Sequence, residues 1–248
     1  MPNSQQAERV AVITGAAGAL GSHFARRLAA DGYHIAIADV VVAEATAAAV
    51  RALGREAYAE AVDLADADAV RRFAASVLER FGRCDLIVNN AAHMPLVPWA
   101  ELSLDEFRRF EAVNVEAPLL LAQALTPGMV ERGWGRIVQI ASSTIGTPMP
   151  GFAAYVTTKM AGIGLTRALA AEFGDLGITV NAVCPGLTRT PSSEQHIPAA
   201  LFEAVRQAQL IKRTEEPQDL CGIVAFLASR DSDFITGQTF YVDGGINF

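Results

Sequence analysis

The feature that most constrains the fold of this chain is a short, largely apolar run followed at once by a glycine-rich turn and a helical pattern. The run is Val10–Thr14, the turn covers residues 15–21, and the helical pattern reaches Ala30. Such a run is typical of a strand buried on both faces. Strand, glycine turn and helix in this order present backbone N–H groups to a phosphate. We therefore expect a dinucleotide site here, the alternative being an ordinary glycine-rich turn.

Strands and helices alternate through the rest of the chain. Further strands are expected at 34–38, 57–62, 85–88, 136–140, 178–183 and 239–242, and helices at about 66–81, 104–132, 154–173, 198–209 and 217–228. This alternation predicts a single domain over residues 1–248, an α/β Rossmann-type doubly wound parallel sheet of about seven strands flanked by helices. The stretch at about 188–216 is otherwise polar and irregular, so we expect a substrate loop there.

Composition and charge limit the partners of this protein. The chain has 248 residues, 51% hydrophobic and only 19% charged, which predicts a folded globule. A net charge of -7 argues against nucleic-acid binding. The polar N-terminus and the lack of an uncharged apolar run of about 18 residues indicate neither a signal peptide nor a membrane segment. A small molecule is therefore the expected partner.

The cysteines and histidines indicate the cellular location to expect and whether a metal site is present. Cys84, Cys184 and Cys221 are far apart and form no Cys-x-x-Cys motif, which indicates reduced thiols in a cytoplasmic protein. The four histidines show no metal-ligand spacing, so no metal site is expected.

An acidic residue ends the second expected strand. Asp39 lies 18 residues beyond Gly21, and no arginine occurs between Tyr33 and Glu44. A carboxylate at this place accepts hydrogen bonds from the ribose hydroxyls of NAD and repels the 2′-phosphate of NADP. The pattern predicts NAD(H); the alternative is a solvated aspartate at a strand end.

Asn114 lies inside the expected helix 104–132, four residues before Pro118. Because proline has no N–H, the Asn114 carbonyl cannot receive its usual helical hydrogen bond. A free carbonyl at a helix bend can hold an ordered water. The alternative is that Pro118 only kinks the helix and Asn114 is structural.

Tyr155 and Lys159 stand four residues apart, on one face of an expected helix. A nearby ammonium favours the phenolate, so Tyr155 is expected to titrate below its reference pKa of about 10. Such a phenol exchanges protons with an alcohol or a carbonyl near neutral pH. Ser142 or Ser143, upstream, is placed to donate a hydrogen bond to the substrate oxygen. Tyrosine and lysine at this spacing also occur by chance on solvated helices.

These residues together resemble the short-chain dehydrogenase/reductase family, in its compact single-domain branch. The resemblance covers essentially the whole chain and rests on Thr14-Gly15…Gly21, Asp63, Asn89-Asn90-Ala91, Asn114, Ser142, Tyr155, Lys159 and Pro185-Gly186. It implies that Tyr155 is the general acid/base and that Lys159 holds the nicotinamide ribose and lowers the Tyr155 pKa. Ser142, 13 residues before Tyr155, is implied to orient the substrate oxygen. Asn114 is implied to hold a water that passes protons toward Lys159.

The resemblance also implies two sets of ligand-binding residues. The cofactor set is Gly15, Gly18, Ala19, Leu20, Gly21, Asp39, Asp63, Leu64, Asn90, Ala91, Tyr155, Lys159, Pro185, Gly186, Leu187 and Thr188. The substrate set is Met94, Ser142, Thr144, Met149 and Tyr155. Ala19 and Ala92 stand where the family usually has glycine. Either Gly18 restores the backbone freedom lost at Ala19, or the Ala19 methyl crowds the pyrophosphate.

Within the family, the chain is similar to the NAD-linked alcohol dehydrogenases, including the 1-phenylethanol dehydrogenases. The residues near the expected pocket are mostly apolar, which suits a hydrophobic secondary alcohol and its ketone. Family members are commonly tetramers, so a homotetramer is expected. Two alternatives are an NADPH-linked 3-oxoacyl or carbonyl reductase and a non-catalytic NAD-binding sensor.

Overall fold

A computed structural model describes residues 9–248, and its centre is a parallel sheet. The strands within these residues are β1 Val10–Thr14, β2 His34–Asp39, β3 Ala57–Ala61, β4 Leu86–Asn89, β5 Gly135–Ile140, β6 Ile178–Pro185 and β7 Thr239–Val242. They lie in the order β3-β2-β1-β4-β5-β6-β7, and every neighbouring pair is parallel. The predicted Rossmann-type fold is confirmed. The strand order reverses between β1 and β4, and ligands bind such sheets at the carboxyl ends of the strands beside that point.

Helices cover both faces of the sheet. They are α1 Ala19–Ala30, α2 Glu44–Ala52, α3 Ala67–Phe81, α4 Leu104–Glu111, α5 Ala117–Glu131, α6 Ala153–Phe173, α7 Pro191–His196, α8 Ala199–Ala208 and α9 Pro217–Leu227. Ile13 packs with Phe24 of α1 on one face, and Val12 packs with Phe73 of α3 on the other. Burial of each such side chain contributes about 1.5–3 kcal/mol. Burial on both faces is the reason that central strands such as β1 and β4 are almost continuously apolar.

Two helices were not predicted from the sequence. Helix α2 is rich in alanine, and α7 lies in the stretch that was expected to be irregular. A capping box starts α7, because the Thr190 Oγ1 accepts from the Ser193 N–H at 3.0 Å and the Ser193 Oγ accepts from the Thr190 N–H at 2.8 Å. No helix within residues 9–248 is long and apolar enough to cross a membrane.

The expected single helix over 104–132 is wrong in one respect. It consists of α4 and α5, joined by a π-helical turn at Ala112–Glu116. The Ala117 N–H bonds to the Ala112 carbonyl, five residues back. Pro118 cannot donate to the carbonyl four residues before it, so the chain adopts the wider turn just before the proline. The irregularity therefore falls at Asn114.

Candidate active site

The loops after β1 and β4 are joined by side-chain hydrogen bonds. The Thr14 Oγ1 accepts from the backbone N–H groups of Asn90 and Ala91, each at 3.0 Å. The Asn90 Nδ2 donates to the carbonyls of Thr14 at 2.9 Å and Gly15 at 3.1 Å. Gly15 has a φ of +71°, and a β-carbon there would lie 2.8 Å from the Ala91 Cα. The glycine permits both the left-handed turn and the close approach of the two loops.

Gly21 is the tightest glycine of this loop, and its replacement gives a stability prediction. A β-carbon on Gly21 would lie 2.5 Å from the Gly15 carbonyl oxygen and 2.7 Å from the Ala16 Cα. Because backbone atoms cannot move aside cheaply, Gly21→Ala should lower the free energy of unfolding by about 1–3 kcal/mol. Chemical denaturation measures this loss. Gly222→Ala is the matched control, since Gly222 lies in α9 with no neighbour within 4 Å of its β-carbon. Equal effects of the two substitutions would contradict the packing argument.

The N-terminus of α1 has the properties of a phosphate site. Gly18 is the N-cap, provides no side-chain cap, and adopts the ordinary extended values φ −78° and ψ 165°. The first turn carries no acidic side chain. A β-carbon on Gly18 would be 3.4 Å from the nearest atom, the Gly15 carbonyl oxygen, so Gly18 supplies open space and not unusual backbone freedom. Ala19 begins the helix at a position that needs no positive φ. The loop therefore fits a pyrophosphate on its backbone N–H groups.

Two acidic side chains follow the strands on the β2 side of this loop. The Asp39 carboxylate, at the end of β2, accepts the Ala17 N–H at 2.8 Å. The Asp63 Oδ1 accepts the Ala65 N–H at 2.9 Å, and its Oδ2 lies 4.0 Å from the Arg109 Nη2. Leu64, beside Asp63, is buried. The structure thus places Asp39 against the glycine loop and Asp63 two residues beyond the end of β3, where a nucleoside would extend along the sheet edge.

Asn114 connects the β4 loop to helix α6 through its side chain. The residue is buried, and its Oδ1 accepts the His93 N–H at 2.8 Å. Its Nδ2 donates to the His93 carbonyl at 3.0 Å and to the Thr158 Oγ1 at 3.0 Å. Thr158 precedes Lys159 in the chain. Asn114 therefore holds the β4 loop against the segment of α6 that carries the tyrosine and the lysine, a function that the sequence did not reveal.

Tyr155, Lys159 and Ser142 are buried together at the carboxyl edge of the sheet. The Lys159 Nζ lies 5.5 Å from the centre of the Tyr155 ring and donates to the Ile140 carbonyl at 2.6 Å. The Ser142 Oγ accepts from the Thr144 Oγ1 at 2.9 Å and from the Thr144 N–H at 3.3 Å. Ser143 instead uses its carbonyl, which accepts the Asn247 Nδ2 at 3.2 Å.

The expected low pKa of Tyr155 is wrong for this structure. Burial raises the pKa of Tyr155 to about 12, and hydrogen bonding with Ser142 only partly opposes the shift. Burial also lowers the pKa of Lys159 to about 8. The cost of removing a phenolate from water exceeds the benefit of the ammonium, which donates to the Ile140 carbonyl. The tyrosine is therefore a protonated phenol at neutral pH.

The segment after β6 closes the other side of the site. Pro185 ends β6, and the Gly186 N–H bonds to the Val242 carbonyl at 3.0 Å. The Thr188 Oγ1 donates to the Glu215 Oε2 at 2.6 Å. Leu187, between them, is partly exposed. Glu215 was not among the expected site residues, because two acids just before Pro217 have the pattern of an ordinary helix start.

The expected substrate residues are only partly brought together. Met149 lines an apolar cavity of about 700 Å³, together with Leu96, Pro98, Trp99, Pro148, Pro150, Gly151, Phe152, Ala153, Val156 and Thr157. Tyr155 lies beside this cavity, since its ring centre is 5.7 Å from that of Phe152. Met94 is about half exposed and is not part of the lining. Ser142 and Thr144 are bonded to each other on the catalytic side.

A glycine loop at a helix N-terminus, an acid at the end of β2 and a buried tyrosine–lysine–serine group define a nicotinamide-dependent oxidoreductase. Comparison with known proteins identifies the class more closely. A family model described as enoyl-(acyl carrier protein) reductase matches residues 15–247. The chain belongs to the short-chain dehydrogenase/reductase family, which confirms the resemblance seen in the sequence.

Three relatives illustrate the range of the family. The chain is 36% identical over 240 residues to the (2S)-[(R)-hydroxy(phenyl)methyl]succinyl-CoA dehydrogenase subunit BbsD of Thauera aromatica, covering 96% of each chain. It is similar to NAD⁺-bound xylitol dehydrogenase, with a TM-score of 0.87 and 30% identity over 96% of this chain and 98% of that one. It is also similar to a provisionally assigned NAD(P)-dependent gluconate 5-dehydrogenase from Beutenbergia cavernae, which holds NADP at low occupancy. There the TM-score is 0.91, with 33% identity over 97% of each chain. The relatives therefore include proteins with either cofactor.

Proposed function

We propose that the protein transfers a hydride between NAD(H) and a hydrophobic secondary alcohol or its ketone. The observation that carries the proposal is the burial of Tyr155, Lys159 and Ser142 together at the sheet edge that the glycine loop borders. The aryl alcohol in the name of the Thauera aromatica relative supports an aryl substrate. The similarity to xylitol dehydrogenase, whose name indicates a polyol substrate, favours a polyol over an aryl alcohol.

The cofactor residues proposed from the sequence fit a dinucleotide at this edge. The pyrophosphate belongs at the start of α1, over Gly15, Gly18, Ala19, Leu20 and Gly21. The remaining contacts are proposed from Asp39, Asp63, Leu64, Asn90, Ala91, Tyr155, Lys159, Pro185, Gly186, Leu187 and Thr188. A bound nicotinamide supplies hydride exchange at its C4 carbon. The Asp39 carboxylate, already held by the Ala17 N–H, supports NAD over NADP because it repels a 2′-phosphate.

The protein residues handle the proton in this reaction. Tyr155 donates its phenolic proton to the substrate oxygen during ketone reduction and takes it back during alcohol oxidation. Ser142 donates a hydrogen bond to the same oxygen, and Thr144 holds the serine in place. Lys159 places a cation beside the phenol and binds the nicotinamide ribose. Asn114 holds the water through which protons reach Lys159.

The apolar cavity beside Phe152 supports a hydrophobic substrate, with Met149 in its lining and Met94 at its margin. We assign α7 and α8 to a substrate loop within one catalytic domain. Exposed apolar side chains at Trp99 and Met160 support a homotetramer. The three cysteines are buried free thiols, which supports a cytoplasmic location.

An NADPH-linked 3-oxoacyl or carbonyl reductase is the second candidate. The description of the matching family model and the NADP in the Beutenbergia cavernae structure favour it. A non-catalytic NAD-binding sensor fits less well, because such a protein has no need of the buried tyrosine, lysine, serine and asparagine together.

Turnover on a panel of alcohols tests the proposal. Purified protein should reduce NAD⁺ in the presence of hydrophobic secondary alcohols, aryl alcohols included, and should do so faster than with polyols or with NADP⁺. Absorbance of the reduced cofactor gives the rate. Turnover confined to polyols would contradict the proposal of a hydrophobic substrate. Faster turnover with NADP⁺ than with NAD⁺ would favour the reductase candidate. Binding of NADH without turnover on any substrate class would favour the sensor.

A further inference from the structure

Glu215 is a buried carboxyl group for which the proposed reaction has no use. The residue is only 5% exposed, and its Oε2 accepts the Thr188 hydroxyl at 2.6 Å. Its carbonyl accepts the Arg189 N–H at 2.7 Å, and its backbone forms a parallel β-bridge with Thr188. Backbone and side-chain bonds together therefore fix this carboxyl group beneath the loop that follows β6.

That loop borders the reactive end of the site. A β-carbon on Gly186 would lie 3.6 Å from the Glu215 Oε2, so the carboxyl group is directly behind the loop backbone. Lys159 donates to the Ile140 carbonyl, and Ile140 pairs with Val183 of β6, two residues before that strand ends at Pro185. The loop after β6 therefore starts close to Lys159. Since hydride exchange takes place where Tyr155 and Lys159 reach the substrate, the nicotinamide ring belongs at this end of the crevice.

The charges around Glu215 leave it able to titrate near neutral pH. Burial raises the pKa of Glu215 from 4.5 to about 7, the Thr188 hydrogen bond opposes the rise, and the Asp219 and Asp243 carboxylates add to it. Arg213 is held by Asp219, with its Nη2 at 2.7 Å from the Oδ1. Arg189 is exposed, so its charge is screened by solvent.

We propose that the charge of Glu215 sets the balance between the oxidised and the reduced nicotinamide cofactor. The oxidised ring is a cation and the reduced ring is neutral. A buried carboxylate behind the loop therefore favours the oxidised form, and protonation of that carboxylate removes the preference. The ionised carboxyl group can only accept a hydrogen bond, so it also keeps the Thr188 hydroxyl in one orientation. The inference rests on the proposed function, because it needs a nicotinamide at this end of the crevice.

Binding of NAD⁺ and NADH, measured by calorimetry from about pH 5.5 to about pH 7.5, tests the proposal. In the wild type, the ratio of the Kd for NADH to the Kd for NAD⁺ should rise about fivefold across this range. In Glu215→Gln the ratio should rise by less than about twofold, because glutamine keeps the size and the acceptor oxygen but has no charge, and Lys159, with a pKa of about 8, retains most of its charge at pH 7.5. Glu216→Gln is the matched control and should behave as the wild type, since Glu216 is exposed. If the protein binds only NADP⁺ and NADPH, the same ratio of Kd values is measured with that pair. The 2′-phosphate is present in both members and does not affect the comparison.

The melting temperature of the protein without nucleotide, measured as a function of pH, is a second test of the proposal. The folded pKa of Glu215 lies above 4.5, so the folded protein binds the proton more tightly than the unfolded chain. Wild-type stability should therefore fall from about pH 4.5 to about pH 7 relative to Glu215→Gln. The inference is overturned if the wild-type ratio of Kd values stays constant, or if this ratio rises as much in Glu215→Gln as in the wild type, even where alcohol turnover persists. It is also overturned if the melting temperatures of the two proteins change in parallel with pH. If neither nucleotide pair binds, the proposed function fails as well.

Discussion

Replacing Tyr155 with phenylalanine should lower kcat by about 1,000-fold and leave NADH binding within about twofold of the wild type. The substitution removes only the phenolic oxygen, and the ring still fills its buried position against Phe110 and Ala154. Because burial raises the pKa of Tyr155 to about 12, the phenol retains its proton at neutral pH and is ready to protonate a ketone. Steady-state rates with the best substrate of the panel, together with calorimetric titration of NADH, measure both effects.

Tyr33→Phe is the matched control for this prediction. Tyr33 is also buried, burial raises its pKa to about 12, and its hydroxyl donates to the Ala228 carbonyl at 2.6 Å, away from the site. Its loss should cost about 1 kcal/mol of stability and leave kcat unchanged. Tyr155→Phe should instead lower kcat and leave the stability nearly unchanged. Turnover near the wild-type level in Tyr155→Phe would eliminate Tyr155 as the proton donor.

Replacing Asp39 with arginine should shift the ratio of kcat/KM values for NADP and NAD toward NADP by about 100-fold, or about 2.7 kcal/mol. The carboxylate, which is proposed to bind the adenosine ribose, lies 2.8 Å from the Ala17 nitrogen of the glycine loop. Its removal abolishes the repulsion of a 2′-phosphate, and the new guanidinium attracts one. Asp39→Ala should give a smaller shift in the same direction. Initial rates with both cofactors at a fixed alcohol concentration give the ratio.

Asp31→Ala serves as the control for net charge. Asp31 caps the C-terminus of α1 at the other end of the sheet and pairs with Arg27 on the surface. Its loss changes the charge of the protein by the same amount as Asp39→Ala but should not alter cofactor preference. An unchanged preference in Asp39→Arg would show that the acid does not select NAD and would favour the NADPH-linked reductase.

Much of the fold could be predicted from local patterns. The strand Val10–Thr14 and the end of helix α1 at Ala30 were predicted at their observed positions, because short apolar runs and helical periodicity are properties of neighbouring residues. The helix begins at Ala19, inside the expected turn over residues 15–21. Helix α2 was missed because its buried positions, Thr46, Ala47 and Val50, include a polar residue and a small one and so give a weak apolar signal. Helix α7 was missed because its start depends on reciprocal capping between Thr190 and Ser193 and not on an apolar face.

The grouping of Tyr155 and Lys159 could be predicted from the sequence, but their pKa values could not. The four-residue spacing placed Tyr155 and Lys159 on one face of a helix, and the structure keeps them there. Their pKa values depend on how completely the surrounding segments exclude water, which no spacing expresses. The sequence therefore indicated a lowered tyrosine pKa, whereas burial raises it to about 12.

The sequence by itself determined the alternation of strands and helices, the glycine loop after β1, the acid at the end of β2 and the tyrosine–lysine spacing. Each of these depends on residues close together in the chain. Only the tertiary structure decided that Asn114 bonds to Thr158, 44 residues away, and that Thr188 bonds to Glu215, 27 residues away. It alone also decided which titratable groups are buried. The physical reason is that long-range hydrogen bonds and desolvation arise from segments that the fold brings together, and these contacts leave no periodic pattern in the sequence.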